Sequence, residues 1–436
     1  MKETTNMKND LYNKYDSIAI NQSSKLFTCL LVVLPILHQY RLLPIEFVDL
    51  FSIIFFPSAI KNLLNGKNNQ SFLAFYVYCA SSVILSGLLY GNASFLSIII
   101  SSVRLIVIFT TIFSYSNVKF NYKYGADLFK RMMLLLSIVV ILQYIIYIVF
   151  HIPTFLLIPN VTLNYGGGMG SSYLIQSLRT SVNGGYIYRP SSIFIEPSFF
   201  SYLSIPALVI SLFDAKNENK KTKKYIVAII LTLASIITTS TVALICCIAV
   251  WILYLYQVEK NNRGKVTGRF FIIIVIAIIM TIVILRVDSV QYSLNRKIVQ
   301  IQNMESGDQS STSLRLLRGF LYFNEMDLIA KIIGCGFGKL TDYYIIHDIV
   351  LSTDKSLNNL SYMNSIFTIL CSEGLIGFIL YMSSFKKYLI SKNYVTRILA
   401  IVLFLIMFGA SVIDSAPYYL WMVFILCSAD NCVNDE

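Results

Sequence analysis

The sequence predicts an all-α membrane protein, and two features of its composition carry that prediction. Hydrophobic residues make up 56% of the 436 residues, and the mean hydropathy is +0.67, which is too apolar for a protein dissolved in water. The apolar runs lack the period-two alternation of membrane barrel strands. Because a bilayer offers the backbone no hydrogen-bond partners, we expect these runs to cross it as helices.

About twelve spans are predicted, at roughly 20 residues for about 30 Å of hydrocarbon. The stretch 225–257 is too long for one helix, and the cluster Thr238-Thr239-Ser240-Thr241 predicts a tight turn that divides it into two short spans. The predicted spans are 25–43, 46–64, 71–90, 93–115, 132–151, 193–213, the two halves of 225–257, 270–287, 361–384, 397–413 and 415–429. Because no internal repeat is present, residues 1–436 are predicted to form a single integral membrane domain.

Lysine and arginine collect in alternate connections, as they do in the cytoplasmic loops of membrane proteins. This alternation accounts for the net charge of +12 and argues against nucleic-acid binding as the purpose of that charge. It places both termini in the cytoplasm and two large loops outside, over about 152–192 and 288–360. The connections with almost no positive charge lie near Arg41, Gly91, Thr239 and Asp414. The basic clusters contain Lys61 and Lys67; Lys119, Lys123, Lys130 and Arg131; Lys216, Lys220, Lys221, Lys223 and Lys224; Lys260, Arg263, Lys265 and Arg269; and Lys386, Lys387, Lys392 and Arg397.

The first outer loop ends in Arg189-Pro-Ser-Ser-Ile-Phe-Ile-Glu196-Pro197. Pro190 and Pro197 fit a helix start and a kink, and a spacing of seven places Arg189 and Glu196 on one helix face if the segment is helical throughout. The pair then forms an arginine–glutamate couple at the outer boundary. Two interpretations stay open: a functional couple, or an interfacial arginine beside a salt-bridged carboxylate.

The second outer loop contains an amphipathic segment that is predicted to form one interfacial helix from about Ser310 to Ile333. Arg315, Arg318 and Tyr322 recur on one face of this helix, with Glu325 next. Two like-charged guanidiniums on one face repel each other unless an anion lies between them, so a substrate phosphate is one interpretation. Contact of both arginines with lipid headgroups is the other.

Three further residues are weaker candidates. Gly336 is the centre of Gly334-Cys-Gly-Phe-Gly338, where glycines let backbone approach a ligand closely. His347 is the single histidine of the second loop and a possible proton acceptor. Arg104 falls near the middle of the fourth span, so we expect it to pair with an acid such as Glu196 or Glu373.

Several motifs are absent from the sequence. There is no G-x-x-x-x-G-K-[ST] loop, no H-E-x-x-H, no paired-cysteine metal spacing and no Asp-x-Asp, so no cofactor and no metal ligand is predicted. The cysteines lie mostly in or against apolar runs and predict no disulfide framework.

In its order of motifs the chain resembles the bacterial polysaccharide polymerases of the O-antigen polymerase (Wzy) type and the related O-antigen ligases. The resemblance covers most of the span and loop layout. Its motifs are loose individually: Arg189 to Pro197, the arginines Arg315 and Arg318 before the turn Gly334 to Gly338, and Ser361-Tyr-Met-Asn364-Ser365 with Glu373-Gly-Leu-Ile-Gly377 behind it. Ligases of this superfamily commonly have a His-Asn pair where this chain has Met363-Asn364, a difference that favours a polymerase.

The resemblance implies a metal-independent glycosyltransferase with a GT-C-like architecture in the bacterial inner membrane. It would transfer a growing glycan from undecaprenyl diphosphate to a sugar hydroxyl of a new lipid-linked repeat unit, in O-antigen, capsule or exopolysaccharide synthesis. Arg189, Arg315 and Arg318 would stabilise the diphosphate, and Glu196, or else His347, would act as general base. Arg104, Tyr322, His347, Gly336 and Asn364 would bind substrate. Membrane lipid, a chain-length regulator and a flippase are the implied partners.

Three alternatives stay open on the sequence. The chain can instead be an O-antigen ligase, with His347 as a displaced catalytic histidine. It can be a flippase or another transporter of lipid-linked oligosaccharide, although such proteins usually have short outer loops and a midplane site. It can also be a scaffold of an envelope assembly.

Overall fold

A computed structural model of the chain describes residues 22–42, 45–64, 72–91, 95–154, 156, 179–182, 185–213, 221–261, 318–349 and 363–430. Helices dominate these residues, and two short antiparallel hairpins accompany them. The helices are α1 (Gln22–Leu37), α2 (Phe47–Leu64), α3 (Leu73–Tyr90), α4 (Phe95–Ile108), α5 (Ser116–Lys119), α6 (Tyr122–Phe150), α7 (Pro197–Phe213), α8 (Lys221–Ile237), α9 (Thr241–Asn261), α10 (Arg318–Glu325), α11 (Leu328–Ile333), α12 (Leu340–Ile346), α13 (Ser365–Leu389), α14 (Tyr394–Gly409) and α15 (Ala416–Asp430).

The hairpins lie in predicted outer connections. Strands β1 (Arg41–Leu42) and β2 (Ile45–Glu46) pair Arg41 with Glu46. Strands β3 (Arg179–Val182) and β4 (Gly185–Tyr188) pair Arg179 with Tyr188. The second hairpin therefore delivers the chain directly to Arg189.

Helices lie at eleven of the twelve predicted span positions, and the twelfth, 270–287, falls outside the described residues. Among the described residues, five helices are long and apolar enough to cross a membrane: Leu73–Tyr90, Leu96–Lys119, Tyr122–Phe150, Thr241–Lys260 and Ser365–Leu389. Five further apolar helices are shorter: Gln22–Leu37, Pro197–Phe213, Lys224–Ile237, Tyr394–Gly409 and Ala416–Ala429. The protein is a helical membrane protein, as its composition predicts.

One helix boundary confirms a local prediction from the sequence, and another corrects one. Helix α8 ends at Ile237 and α9 begins at Thr241, so the stretch 225–257 does break at its threonine and serine cluster. Pro197, predicted to kink a helix that starts at Pro190, is instead the first residue of α7, a position where its fixed φ and missing N–H cost nothing. Between α4 and α5 the chain forms a π-helical segment, Phe109–Ser114, in which Tyr115 N donates to Thr110 O at 3.0 Å.

Burial separates central helices from lipid-facing ones. Helix α7 is buried along almost its entire length, and α15 is buried to nearly the same extent, so both are hydrophobic on all sides. Helices α3, α4 and α6 instead expose large apolar side chains such as Leu88, Leu96 and Leu135. Exposed leucines on an apolar helix are expected where lipid is the solvent.

Contacts join segments that the charge pattern predicts to lie on the same side. At the predicted inner end, Ser24 Oγ donates to Lys119 O at 2.6 Å. At the predicted outer end, Ser365 Oγ donates to Ala410 O at 2.8 Å. Of the described candidate site residues, Arg189, Arg318 and Asn364 lie toward this predicted outer end.

Candidate functional site

The segment from Arg189 to Glu196 is irregular and not helical, which corrects the prediction that one helix face carries both residues. Helix α7 begins only at Pro197, and Ser192 adopts a φ of +59°. Two prolines, Pro190 and Pro197, restrict the residues before them to extended conformations, so the helix starts at the second one. Arg189 and Glu196 are therefore placed by loop contacts.

Two buried glutamine amides fix this loop. Gln143 on α6 accepts a hydrogen bond from Ser192 N at 2.9 Å and donates to Ser192 O at 3.0 Å. Gln39, after α1, accepts from Ile195 N at 2.7 Å. Side-chain amides satisfy the loop backbone in the way that a neighbouring strand would, so the buried loop keeps its polar groups paired.

We expect Gln143→Ala to destabilise the protein by about 1–3 kcal/mol, because Ser192 N and O both lose a buried partner. Thermal unfolding of the purified protein in detergent measures this. Asn62→Ala is the matched control, since Asn62 Nδ2 donates to Ser58 O at 2.7 Å in an exposed position, where water replaces the bond. Equal melting temperatures for the two variants would contradict the assignment.

Arg189 and Glu196 have different partners. Arg189 Nε donates to Thr239 Oγ1 at 2.9 Å and to Thr238 O at 3.3 Å, at the turn between α8 and α9. Glu196 Oε2 accepts a hydrogen bond from Ser198 Oγ at 2.9 Å. The threonine cluster therefore both breaks the helix and holds the guanidinium, while the carboxylate stays half-buried at the start of α7.

The amphipathic segment of the second loop forms two helices, which corrects the prediction of one helix ending at Ile333. Helix α10 ends at Glu325, and α11 runs from Leu328 to Ile333. Arg315 lies outside the described residues. Arg318 is the first residue of α10. The whole residue is only 6% exposed, so its guanidinium is held inside the protein.

Helices α10 and α11 pack against the helix bundle, through α13 and α3, and do not only lie on the membrane surface. A Cβ at Gly319 would overlap the Phe367 side chain of α13, and Tyr78 OH of α3 donates to Ile333 O at 2.7 Å. The opposite side of α11 exposes Leu328 and Ile329. Apolar exposure on one side and close packing on the other fit a segment between lipid and the bundle.

The other side chains of this segment form an aromatic cluster. The buried Tyr322 ring lies 4.4 Å from that of Tyr344, centroid to centroid. Burial raises the pKa of Tyr343 and of Tyr344, and Tyr343 OH donates a hydrogen bond to Asp327 Oδ2 at 3.3 Å. His347 is exposed, lies 4.3 Å from the Tyr343 ring and places Nδ1 at 3.5 Å from Asp327 Oδ2.

Gly336 contacts protein backbone and a serine. Its N–H donates to Ser372 O at 2.8 Å, and a Cβ there would lie 3.1 Å from Ser86 Oγ. The close approach that the glycines were predicted to allow is therefore made by α3 and α13. Its φ of +92° also explains the requirement for glycine.

Asn364 caps helix α13. Its Oδ1 accepts from Phe367 N at 2.9 Å, the usual arrangement of an asparagine at a helix N-terminus. The next residue, Ser365, donates through its N–H to Ala410 O at 3.0 Å. This cap accounts for the asparagine structurally and fixes the start of α13 beside the end of α14.

A continuous series of contacts joins the two arginines along the predicted outer end. Arg189 holds the turn at Thr239, and Val242 follows that turn on α9. Gly409 of α14 packs so tightly on Val242 that a Cβ would come within 2.7 Å of Val242 Cγ2. The next residue, Ala410, accepts a hydrogen bond from Ser365 through its carbonyl oxygen. Gly319, which follows Arg318, packs on Met363 and Phe367. These contacts anchor both guanidiniums at the same end of the bundle.

Arg104 is ion-paired, as predicted, but with different acids. Its Nε lies 2.7 Å from Asp49 Oδ1 and its Nη2 lies 3.1 Å from Glu46 Oε2, rather than beside Glu196 or Glu373. His38 Nδ1 is 3.9 Å from the same Glu46 oxygen. Hairpin β1–β2 and the first turn of α2 bring both acids beside α4, a contact that hydropathy alone does not predict.

Lys339 is a further cation that the sequence did not single out. It follows the glycine turn directly, is largely buried, and donates from Nζ to Ser97 Oγ at 2.9 Å. Its position after three closely spaced glycines is the signal that was available. In the described part of the chain, no group of three or more His, Cys, Asp or Glu side chains is placed to hold a metal ion.

Comparison with protein-family models gives no match for this chain, and comparison with curated proteins gives none either.

Proposed function

We propose that the protein is a glycosyltransferase that polymerises lipid-linked oligosaccharide repeat units. The observation that carries the proposal is the anchoring of Arg189 and Arg318 at one end of the helix bundle, the end that the charge pattern predicts to face outward. One guanidinium is held by Thr238 and Thr239, and the other is buried at the start of α10. The resemblance to Wzy-type polymerases adds the substrate class.

The reaction requires stabilisation of a leaving diphosphate. The bond between the anomeric carbon of the donor glycan and its phosphate oxygen breaks, and the acceptor hydroxyl oxygen bonds to that carbon. The acceptor proton passes to a base, and undecaprenyl diphosphate leaves with the electron pair. Guanidiniums stabilise the developing phosphate charge through paired N–H donors, most strongly where water is excluded. In this proposal Arg189, Arg315 and Arg318 have that role.

Two residues are candidates for the base. Glu196 is half-buried beside Ser198 and follows the loop that begins at Arg189. His347 is exposed directly after α12, in the second outer loop, and lies beside Asp327. A base must reach the acceptor hydroxyl, which reacts beside the diphosphate. Glu196 is our first candidate because it lies on the same loop as Arg189, one of the arginines proposed to bind that diphosphate.

The location in the cell follows from the same proposal. We place the chain in the bacterial inner membrane with twelve spans, a GT-C-like architecture and cytoplasmic termini, which fits the basic residues in alternate connections. Its substrates would be undecaprenyl-diphosphate-linked oligosaccharides of the outer leaflet. A flippase would supply them, and a chain-length regulator would act with the polymerase.

Deletion of the gene, followed by gel analysis of surface glycan, tests the function. We expect loss of the long glycan ladder with a single repeat unit retained, and restoration of the ladder by the wild-type gene. Loss of all attached glycan would instead indicate a ligase or a flippase. An unchanged ladder would overturn the proposal.

A flippase is the second candidate, because one predicted span is discontinuous. Helix α13 contains a non-helical residue, Gly374, directly after the buried Glu373, and broken spans with charged side chains are common at transporter sites. In this chain the break is occupied by the glycine turn of the second loop. Occupation by protein backbone weighs against a transport site there, and the glycan gel distinguishes the two functions.

A further inference from the structure

The break in α13 is a defined local feature. Gly374 has φ 63° and ψ −170° inside an otherwise continuous helix from Ser365 to Leu389, a backbone conformation that only glycine adopts readily. A break of this kind interrupts the i to i−4 hydrogen bonds and leaves carbonyls that need other donors. At membrane depth such backbone persists only where protein surrounds it.

The turn from Gly334 to Gly336 fills this break. Gly336 N donates to Ser372 O at 2.8 Å, and a Cβ on Gly374 would lie 2.5 Å from both Gly334 N and Ile332 O. Ser86 Oγ of α3 donates to Cys335 O. We call this arrangement, formed by Gly334–Gly336 and Ser372–Gly374, the glycine dock.

Helix α3 closes the glycine dock from the other side. Ser82 Oγ donates to Glu373 Oε2 at 2.7 Å, and Tyr78 OH donates to Ile333 O. Both Cys335 and Glu373 are fully buried as a result. Three elements far apart in sequence therefore meet at the dock. The glycine turn and α13 meet through backbone contacts that leave no room for a Cβ, and α3 joins them through side-chain hydrogen bonds.

We propose that the glycine dock positions Arg318, and that Gly334 and Gly374 are positioning residues for the proposed reaction. Helix α13 holds helices α10 and α11 at two neighbouring places: Phe367 and Cys371 contact Gly319, and Ser372–Gly374 contact the turn after α11. Along α10 and α11 these two contacts lie at opposite ends, so together they define the direction of the pair. Release of the dock would remove one of the two and leave the contacts of α10 itself, at Gly319 and Tyr322, so that the guanidinium of Arg318 would shift.

Alanine substitutions probe the dock because three neighbouring glycines share a positive φ but differ in what a side chain would contact. Gly334, Gly374 and Gly338 all have positive φ, at 94°, 63° and 73°. A Cβ at Gly334 or Gly374 meets backbone atoms of the facing element, whereas a Cβ at Gly338 meets nothing within 4 Å. Gly338→Ala is therefore the control for the clash, since alanine there keeps the cost of a positive φ and meets no neighbouring atom.

The test uses the full-length protein in lipid nanodiscs, with two readouts that need no substrate. Alkylation of Cys335 by iodoacetamide, mapped by peptide mass spectrometry, reports opening of the dock. Trypsin cleavage after Arg318 reports loosening of α10. For Gly334→Ala and Gly374→Ala we expect both rates to rise about tenfold or more, and for Gly338→Ala both to stay within about twofold of wild type. A polymerisation assay in the same nanodiscs should show kcat lowered about 100-fold, with KM less affected, in the two dock variants alone.

The outcomes separate this inference from the proposed function. Cys335 that stays protected in Gly374→Ala, or a Gly338→Ala variant that behaves in the same way as Gly374→Ala, would overturn the dock. An exposed Cys335 with Arg318 still protected from trypsin would overturn the positioning of α10. If wild-type protein lacks polymerase activity, the function fails, and the two labelling readouts still decide whether the dock holds Arg318.

Discussion

Replacing Arg318 by lysine is expected to lower kcat about 100-fold without unfolding the protein, because removal of one preorganised donor from a dry site costs about that much. Lysine keeps the positive charge but lacks the planar fork that binds two phosphate oxygens at once. The residue is only 6% exposed, so water does not replace the lost donors. Polymerisation of lipid-linked repeat units by the reconstituted protein measures the effect.

Arg189→Lys should show a similar loss, since its Nε bond to Thr239 has no equivalent in lysine. Arg397→Lys provides the matched control. Arg397 stacks over Tyr394 with 4.3 Å between the guanidinium carbon and the ring centroid, at the predicted inner end. Full activity in both Arg318→Lys and Arg189→Lys would eliminate the proposed diphosphate site.

Local signals in the sequence predicted much of the fold. The charge alternation, the hydrophobic lengths and the threonine cluster at Thr238 each depend on residues close together in the chain, and the helices lie where these signals placed them. Such features are set by backbone chemistry and by lipid, and both act within a single turn or span.

Pairings between distant segments were not predictable in this way. Arg104 required an acid, but hydropathy does not state which of several carboxylates lies beside it, and Asp49 is 55 residues away. The segment from Arg189 to Glu196 looked helical by spacing, yet Gln143 and Gln39 hold it as a loop. One of these amides lies in an apolar helix and the other directly after one, so their role emerges only when the helices are packed.

The glycine dock illustrates the same limit. Gly334 and Gly374 each belong to a loose glycine motif of the sequence, the first in Gly334-Cys-Gly-Phe-Gly338 and the second in Glu373-Gly-Leu-Ile-Gly377. Their backbones meet each other, and a close backbone contact leaves no mark on either sequence beyond the glycine itself. Single-sequence reasoning therefore identified both motifs but not the contact between them.

Replacing Arg104 by methionine is expected to lower the melting temperature sharply, because Asp49 and Glu46 would then face each other without their shared cation. Breaking a fully buried ion pair costs about 3–5 kcal/mol, and since 37% of the Arg104 side chain is exposed we expect about 2 kcal/mol. Lys130→Met is the control, as Lys130 pairs with an Asp127 side chain that is 53% exposed, and such surface pairs contribute about 0–1 kcal/mol.

The informative variant adds Glu46→Gln and Asp49→Asn to Arg104→Met. If the single variant fails because two carboxylates remain without a counter-charge, their neutralisation should restore most of the lost melting temperature. Arg104 then has a structural role in closing α2 against α4. If the triple variant stays as unstable as Arg104→Met, the guanidinium contributes through other contacts and the ion-pair explanation is wrong. If the triple variant is stable but inactive in polymerisation, the charges of this cluster take part in substrate binding, the role that the resemblance implies for Arg104.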